Sequence, residues 1–141
     1  MTRPGGIPAY LAEEGYEYVC DWVLDDQPVS LKTRDGTIVN IPYTQECNDV
    51  AMMLIQHHKA SEYFERAIDQ FEQLYEDARD SARIMALVVH PYIMGAPHRV
   101  KHFRRVFEDI HGRDGVLFWT GEQILDWYQA LRADAATHAR S

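Results

Sequence analysis

Apolar positions in this chain change their spacing several times, and each change predicts an element. Pro8 to Gly15 reads as a short helix, with proline early and Gly15 as a stop signal. Tyr16 to Trp22, rich in aromatic and β-branched residues, reads as a strand. Val29-x-Leu31-x-Thr33 and Val39-x-Ile41-x-Tyr43 alternate on either side of Asp35-Gly36, the signature of a β-hairpin. Asn48 to His58 predicts a short helix. Ser61 is placed to cap the next one, where Phe64, Ala67, Ile68, Phe71, Leu74, Tyr75 and Ala78 recur at three- and four-residue steps. Its other face is charged. Arg83 to His90 is an unbroken apolar run that suits a parallel strand covered on both faces. Pro97 then opens a helix reaching about His111. Val116 to Trp119 reads as another buried strand. Thr120-x-x-Gln123 is a capping box for the last helix, which turns Ile124, Leu125, Tyr128 and Leu131 inward. The tail from Ala133 is expected to fray.

Strands and helices in alternation, with buried strands, predict an α/β layer. Three parallel strands are few for such a sheet and leave edges unpaired, so a homo-oligomer or a second polypeptide is expected to cover them. The 141 residues are one domain's worth, with 46% apolar and 26% charged residues. A formal net charge of -8 excludes nucleic acid as the natural partner, since phosphate neutralisation needs clustered Lys and Arg. The one basic cluster (Arg99, Lys101, Arg104, Arg105) reads as a solvated helix face. Cys20 and Cys47 form no paired zinc or disulfide pattern, and free thiols in a reducing compartment are the default. Met1 to Gly6 has no apolar run of a signal peptide, and no stretch is apolar enough to span a bilayer. Cytoplasmic location, with no membrane partner, is the expectation.

In α/β sheets, functional groups gather where parallel strands end. Two strand ends are polar in the right way. The first is Asp21-Trp22-Val23-Leu24-Asp25-Asp26-Gln27, whose carboxylates repel one another unless a ligand or cation compensates. A polar loop with helix-capping aspartates is the plainer reading and is slightly favoured. The second is His90, directly after the apolar run, where an imidazole can act as general acid or base or simply close the strand. Thr44 to Asp49 follows the hairpin and could reach the same face. His57-His58 cannot chelate one ion, because neighbours on a helix point about 100° apart. His98 and His102 have i, i+4 spacing but no acidic or thiolate neighbour to complete a metal site. There is no nucleophile elbow and no phosphate-cradling glycine loop.

Several phrases resemble one family, in the family's order, over roughly residues 8 to 130. Leu11 to Tyr18 is similar to the helix-to-strand segment of polysaccharide deacetylases. Asp21-Trp22 with Asp25-Asp26-Gln27-Pro28 resembles an element of the allantoinase-like branch. So do Ile41-Pro42-Tyr43-Thr44 with Glu46 and Asn48-Asp49, Val89 to Arg99 (VHPYIMGAPHR), and Gly115 to Tyr128. The resemblance implies a partial (β/α) barrel: the C-terminal half of a distorted seven-stranded deacetylase barrel, with a β-hairpin insertion, as a single domain over residues 1–141. It implies hydrolysis of a non-peptide amide carbon–nitrogen bond in an N-acetyl sugar or a small cyclic amide. His90 takes the general-acid position and Asp21 the fourth motif, so both are catalytic candidates. Trp22, Asp25, Asp26, Glu46, Asn48, Asp49 and Arg99 are candidates for substrate binding. The third motif is represented only by Arg3-Pro4. The family's divalent metal, often zinc, is held by residues of an N-terminal half that has no counterpart here, so no metal ligand is assigned in this chain. A lone chain is expected to be inactive. The competing expectation is a non-catalytic, oligomeric or partner-completing remnant.

Overall fold

The computed structural model describes residues 6–138, which leaves Arg3-Pro4 outside the described residues. The elements are α1 (Gly6–Glu13), β1 (Tyr18–Val19), β2 (Val29–Thr33), β3 (Gly36–Asn40), a π-helix (Val50–Ile55), α2 (Ala60–Asp77), α3 (Pro97–Ile110) and α4 (Gly121–His138). They group into two compact units. One takes the chain up to Pro42 and from Phe118 onward; the other is Tyr43–Leu117. Among the described residues no helix is long and apolar enough to cross a membrane.

In the first unit a three-stranded sheet has the order β1-β3-β2. β1 runs parallel to β3 and pairs Tyr18 with Val39, while β2 and β3 form the predicted antiparallel hairpin. Its turn sits one residue earlier than Asp35-Gly36 suggests. Thr33 pairs with Gly36, so Arg34 and Asp35 make the turn and Gly36 starts β3 with φ +142°, a backbone angle open to glycine. Val39, Ile41 and Leu125 form a small core with Tyr18, Ile124 and Tyr128 around it. α4 starts with the predicted capping box: Thr120 N–H donates to Gln123 Oε1 at 2.8 Å, and Gln123 N–H to Thr120 Oγ1 at 3.3 Å. The helix extends to His138.

The second unit is built on α2 and α3. α2 begins at Ala60 rather than behind a Ser61 cap, because the Glu62 carboxylate reaches back to the backbone N–H of Lys59. Its buried stripe is Tyr63, Ala67, Phe71 and Leu74. Pro97 at the first turn of α3 fulfils the sequence expectation. Tyr63, Ala67, Phe71, Met52, Met53, Ile93, Met94, Val106 and Ile110 make one core. Within the predicted helix Asn48 to His58, Val50–Ile55 is wound as a π-helix, Asn48 forms a bridge instead, and His57 follows the helix at φ +59°.

Two predicted strands do not form. Residues 83–90 carry no regular element, and their pairing is confined to a single parallel bridge between Asn48 and Val88. Val116–Trp119 carries no strand, and Leu117, Phe118 and Trp119 are exposed. A strand needs a ladder partner as well as apolar side chains, and among the described residues only Cys47–Asp49 supplies one to the first segment. The expected set of three parallel strands is therefore a small mixed sheet and one isolated bridge.

Candidate active site

The bridge between Asn48 and Val88 brings together two candidates that lie 41 residues apart in the sequence. Val88 N–H donates to the Cys47 carbonyl at 2.9 Å, and Asp49 N–H to the Val88 carbonyl at 3.1 Å. This register sets Asp49 beside His90. The backbone N–H of His90 donates to Asp49 Oδ2 at 2.7 Å, and His90 Nδ1 lies 2.7 Å from Asp49 Oδ1. A carboxylate only accepts, so Nδ1 carries the proton and Nε2 is left free to serve an incoming group.

Burial explains why the pair is tight. Asp49 has no exposed side-chain surface, whereas His90 keeps 37% of its side chain exposed. A sealed carboxylate must be hydrogen-bonded to hold its charge, and two short contacts from one residue meet that need. The pair therefore meets solvent through the imidazole. This is the geometry in which a carboxylate fixes the tautomer and orientation of a proton-transferring histidine.

The surroundings hold both partners still. Asn48 Oδ1 accepts from Val50 N–H at 3.0 Å and Ala51 N–H at 3.4 Å, capping the π-helix, while its Nδ2 donates to Tyr43 Oη at 3.0 Å. After His90 the chain turns back at once. Ile93 N–H and Met94 N–H both donate to the His90 carbonyl at 2.9 Å, and both side chains are buried. Gly95 packs onto this turn so closely that an added Cβ would lie 2.3 Å from the Pro91 carbonyl oxygen. Arg99 Nη1 donates to the Ile93 carbonyl at 3.3 Å and ties the turn to α3. Tyr92 stands 72% exposed with its ring edge-on to His90 at 5.7 Å between centroids.

The remaining candidates take other places. Asp49, a candidate for substrate binding, is sealed and has both oxygens on His90. Asn48 likewise spends its side chain on the cap and on Tyr43, and Arg99 serves the turn. Glu46 accepts from Thr44 Oγ1 and from Gln45 N–H at the surface. Asp21, Trp22, Asp25 and Asp26 belong to the first unit, in an exposed stretch before β2. There Asp25 Oδ1 accepts from Gln27 N–H at 3.2 Å. Trp22 is clamped by Asn40: its N–H donates to Asn40 Oδ1 at 3.2 Å and its carbonyl accepts from Asn40 Nδ2 at 2.9 Å. Sequence reading missed Asn40, whose signal is a buried amide at the end of an otherwise apolar strand.

Among the described residues no group of three His, Cys, Asp or Glu side chains converges as metal ligands. His102 Nδ1 is buried without a hydrogen-bond partner. Its pKa is lowered by desolvation first, then by Lys101 and Arg105. The carboxylate closest to an imidazole is Asp49, already committed to His90. These residues do not fit a divalent-metal site.

Comparison with known proteins agrees with the resemblance read from the sequence. No protein-family model matches the chain. It is similar to a Schizosaccharomyces pombe protein assigned by name to the polysaccharide deacetylases, 29% identical over 114 residues, which cover 77% of this chain and 35% of that relative. Among solved structures it is similar to a PuuE allantoinase, with a TM-score of 0.79 and 26% identity over 86% of this chain and 41% of that one. A Pseudomonas aeruginosa PAO1 structure named as a polysaccharide deacetylase matches at TM-score 0.77 and 26% identity, over 85% of this chain and 41% of that one. One from Mycobacterium smegmatis, at 22% identity and TM-score 0.75 over 89% and 45%, supports the fold alone. The chain thus carries a polysaccharide-deacetylase and allantoinase-like α/β fold over a partial length. It spans less than half the length of each of these relatives.

Proposed function

We propose that this chain is the acid-bearing part of a hydrolase of non-peptide amide carbon–nitrogen bonds, with His90 as general acid and Asp49 as its positioning residue. The observation that carries the reading is the short, sealed contact between Asp49 Oδ1 and His90 Nδ1, on a histidine that remains open to solvent. In amide hydrolysis, water adds to the carbonyl carbon and the carbon–nitrogen bond breaks as the leaving nitrogen takes up a proton. Charged His90 supplies that proton from Nε2, while Asp49 balances the positive charge on the ring. The product nitrogen leaves as an amine, and the acyl carbon keeps the water oxygen. The base that activates water lies outside this pair, and the resemblance implies that it belongs to the family's N-terminal half. A divalent metal, which the resemblance implies for the deacetylases, would polarise the carbonyl, and its ligands would come from residues beyond those described.

The finer fold reading is the C-terminal half of a distorted (β/α) barrel. It is supported by coverage of only 41% of each of two solved relatives. A completing polypeptide, or a second copy of the chain, then supplies the neighbouring strands. Activity is expected only after completion. Mixed with a polypeptide equivalent to the uncovered part of those relatives, the chain should hydrolyse a cyclic amide or release acetate from an N-acetyl sugar, and His90→Ala should abolish this. Metal-stimulated acetate release by the chain alone, or full activity of the completed His90→Ala protein, refutes the proposal.

A second reading is a non-catalytic, partner-completing remnant, favoured by the exposure of Leu117, Phe118 and Trp119 at 66%, 52% and 41%. It expects assembly without turnover. Light scattering at micromolar concentration separates its assembly claim from a plain monomer.

A further inference from the structure

We propose that Tyr63 is a positioning residue for the Asp49–His90 pair: its buried phenol clamps the Cys47 and Val88 carbonyls and so fixes the bridge that sets Asp49 against His90. The inference rests on the reading of His90 as the general acid. Its geometry, however, stands independently.

Tyr63 lies in the first turns of α2, with no exposed surface. Its hydroxyl reaches the Cys47 carbonyl at 3.3 Å and the Val88 carbonyl at 3.4 Å. One proton is thus shared between two acceptors. These same carbonyls accept the two backbone hydrogen bonds of the bridge, from Val88 N–H and Asp49 N–H. Cys47 is two residues before Asp49, and Val88 two residues before His90. A bridge of two bonds has little resistance to sliding, whereas a full ladder would have many. Beside the bridge and the Asp49–His90 contacts, the phenol adds a further tie between the same two segments, anchored in a helix that belongs to the core.

The rest of Tyr63 is ordinary core, which makes the hydroxyl separable from the ring. The ring packs edge-on to Phe103 at 6.3 Å. Burial, followed by Cys47 and Asp49, raises the phenol's pKa, so it remains a donor at any physiological pH. An unpaired phenol at this depth would be costly, and both of its acceptors lead to the dyad.

The test is Tyr63→Phe, with Phe103→Leu as a control that disturbs the packing and keeps the hydroxyl. Amide hydrogen exchange and the His90 Nδ1–H resonance are measured on this chain, and kcat and KM on the completed enzyme. In Tyr63→Phe, the Asp49 and Val88 amides should exchange about 3- to 10-fold faster than α2 core amides do relative to the parent, matching the loss of one hydrogen bond. The Nδ1–H resonance should broaden, and kcat should fall while KM stays put. Phe103→Leu should speed exchange across the unit evenly, leaving the dyad's relative protection unchanged. Even acceleration in Tyr63→Phe, with an unaltered Nδ1–H signal, overturns the clamp. If the completed parent enzyme hydrolyses no amide, the exchange readout still decides the clamp, and only the hydrolase reading falls.

Discussion

Replacing Asp49 by Asn keeps the size of a side chain with no exposed surface and alters one acceptor oxygen. Asn can still accept the His90 backbone N–H, now made at 2.7 Å to Oδ2. Its amide nitrogen then faces Nδ1, where Oδ1 accepts today. Two donors cannot share that contact, so Nδ1 must become the acceptor and the ring proton moves to Nε2. A charge-assisted bond, worth about 1.5–3 kcal/mol net, is exchanged for a neutral one worth about 0.5–1.5 kcal/mol. Removing the buried charge offsets part of that loss, because an ion out of water carries a desolvation penalty of several kcal/mol. We therefore expect Asp49→Asn to lower stability by only about 1 kcal/mol. The catalytic loss should be far larger, since a ring that no longer becomes a balanced imidazolium forfeits most of the about 10²–10⁴-fold contribution of a general acid.

The assay has three parts. Nitrogen-15 spectra of histidine-labelled chain report which ring nitrogen carries the proton. Urea unfolding reports the stability change, and kcat of the completed enzyme reports the chemistry. Nδ1 should be protonated in the parent and unprotonated in Asp49→Asn, with the fold retained. If Nδ1 keeps its proton in the variant and the stability is unchanged, Asp49 does not hold the imidazole, and the account of the site is wrong.

Three further outcomes follow from the packing. Cys47 is fully buried, its Sγ donates to Gln70 Oε1 at 3.1 Å, and burial pushes its thiol up to about 11, so a thiol reagent at pH 8 should label the exposed Cys20 alone until urea is added. Rapid labelling of two thiols in the native protein would contradict this. Gly95→Ala puts a methyl 2.3 Å from a backbone oxygen in the turn behind His90, which should cost about 1–3 kcal/mol in urea unfolding and shift the His90 ring signals; a neutral variant refutes the close approach. His102 has a lowered pKa in the fold, so below its ordinary value near 6.5 the unfolded chain takes up the proton first. Its contribution to stability is complete above that pH and lost as pH falls toward the folded pKa, so His102→Gln should flatten the urea midpoint between pH 7.5 and 5, and an unchanged slope would count against it.

What the sequence revealed depended on how local the determining forces are. α3 and α4 were readable because Pro97 and the Thr120–Gln123 box act within one turn. The α2 stripe was readable to within one residue. Spacing placed Ala67, Phe71 and Leu74 inward, and they are buried, but it chose Phe64 and passed over the neighbouring Tyr63, which is buried with them. One residue is about 100° of rotation, enough to hide the phenol beneath the bridge. The apolar run before His90 is only partly buried, and a run of side chains says nothing about which backbone accepts its hydrogen bonds. The same gap separates naming Asp49 and His90 as candidates from knowing that they touch. Their contact depends on Cys47 and Asp49 pairing with Val88 across some forty positions, a property of the assembled unit. Once that register exists, the chemistry follows with few alternatives: a sealed carboxylate needs donors, and the imidazole two residues beyond the bridge is positioned to be one of them.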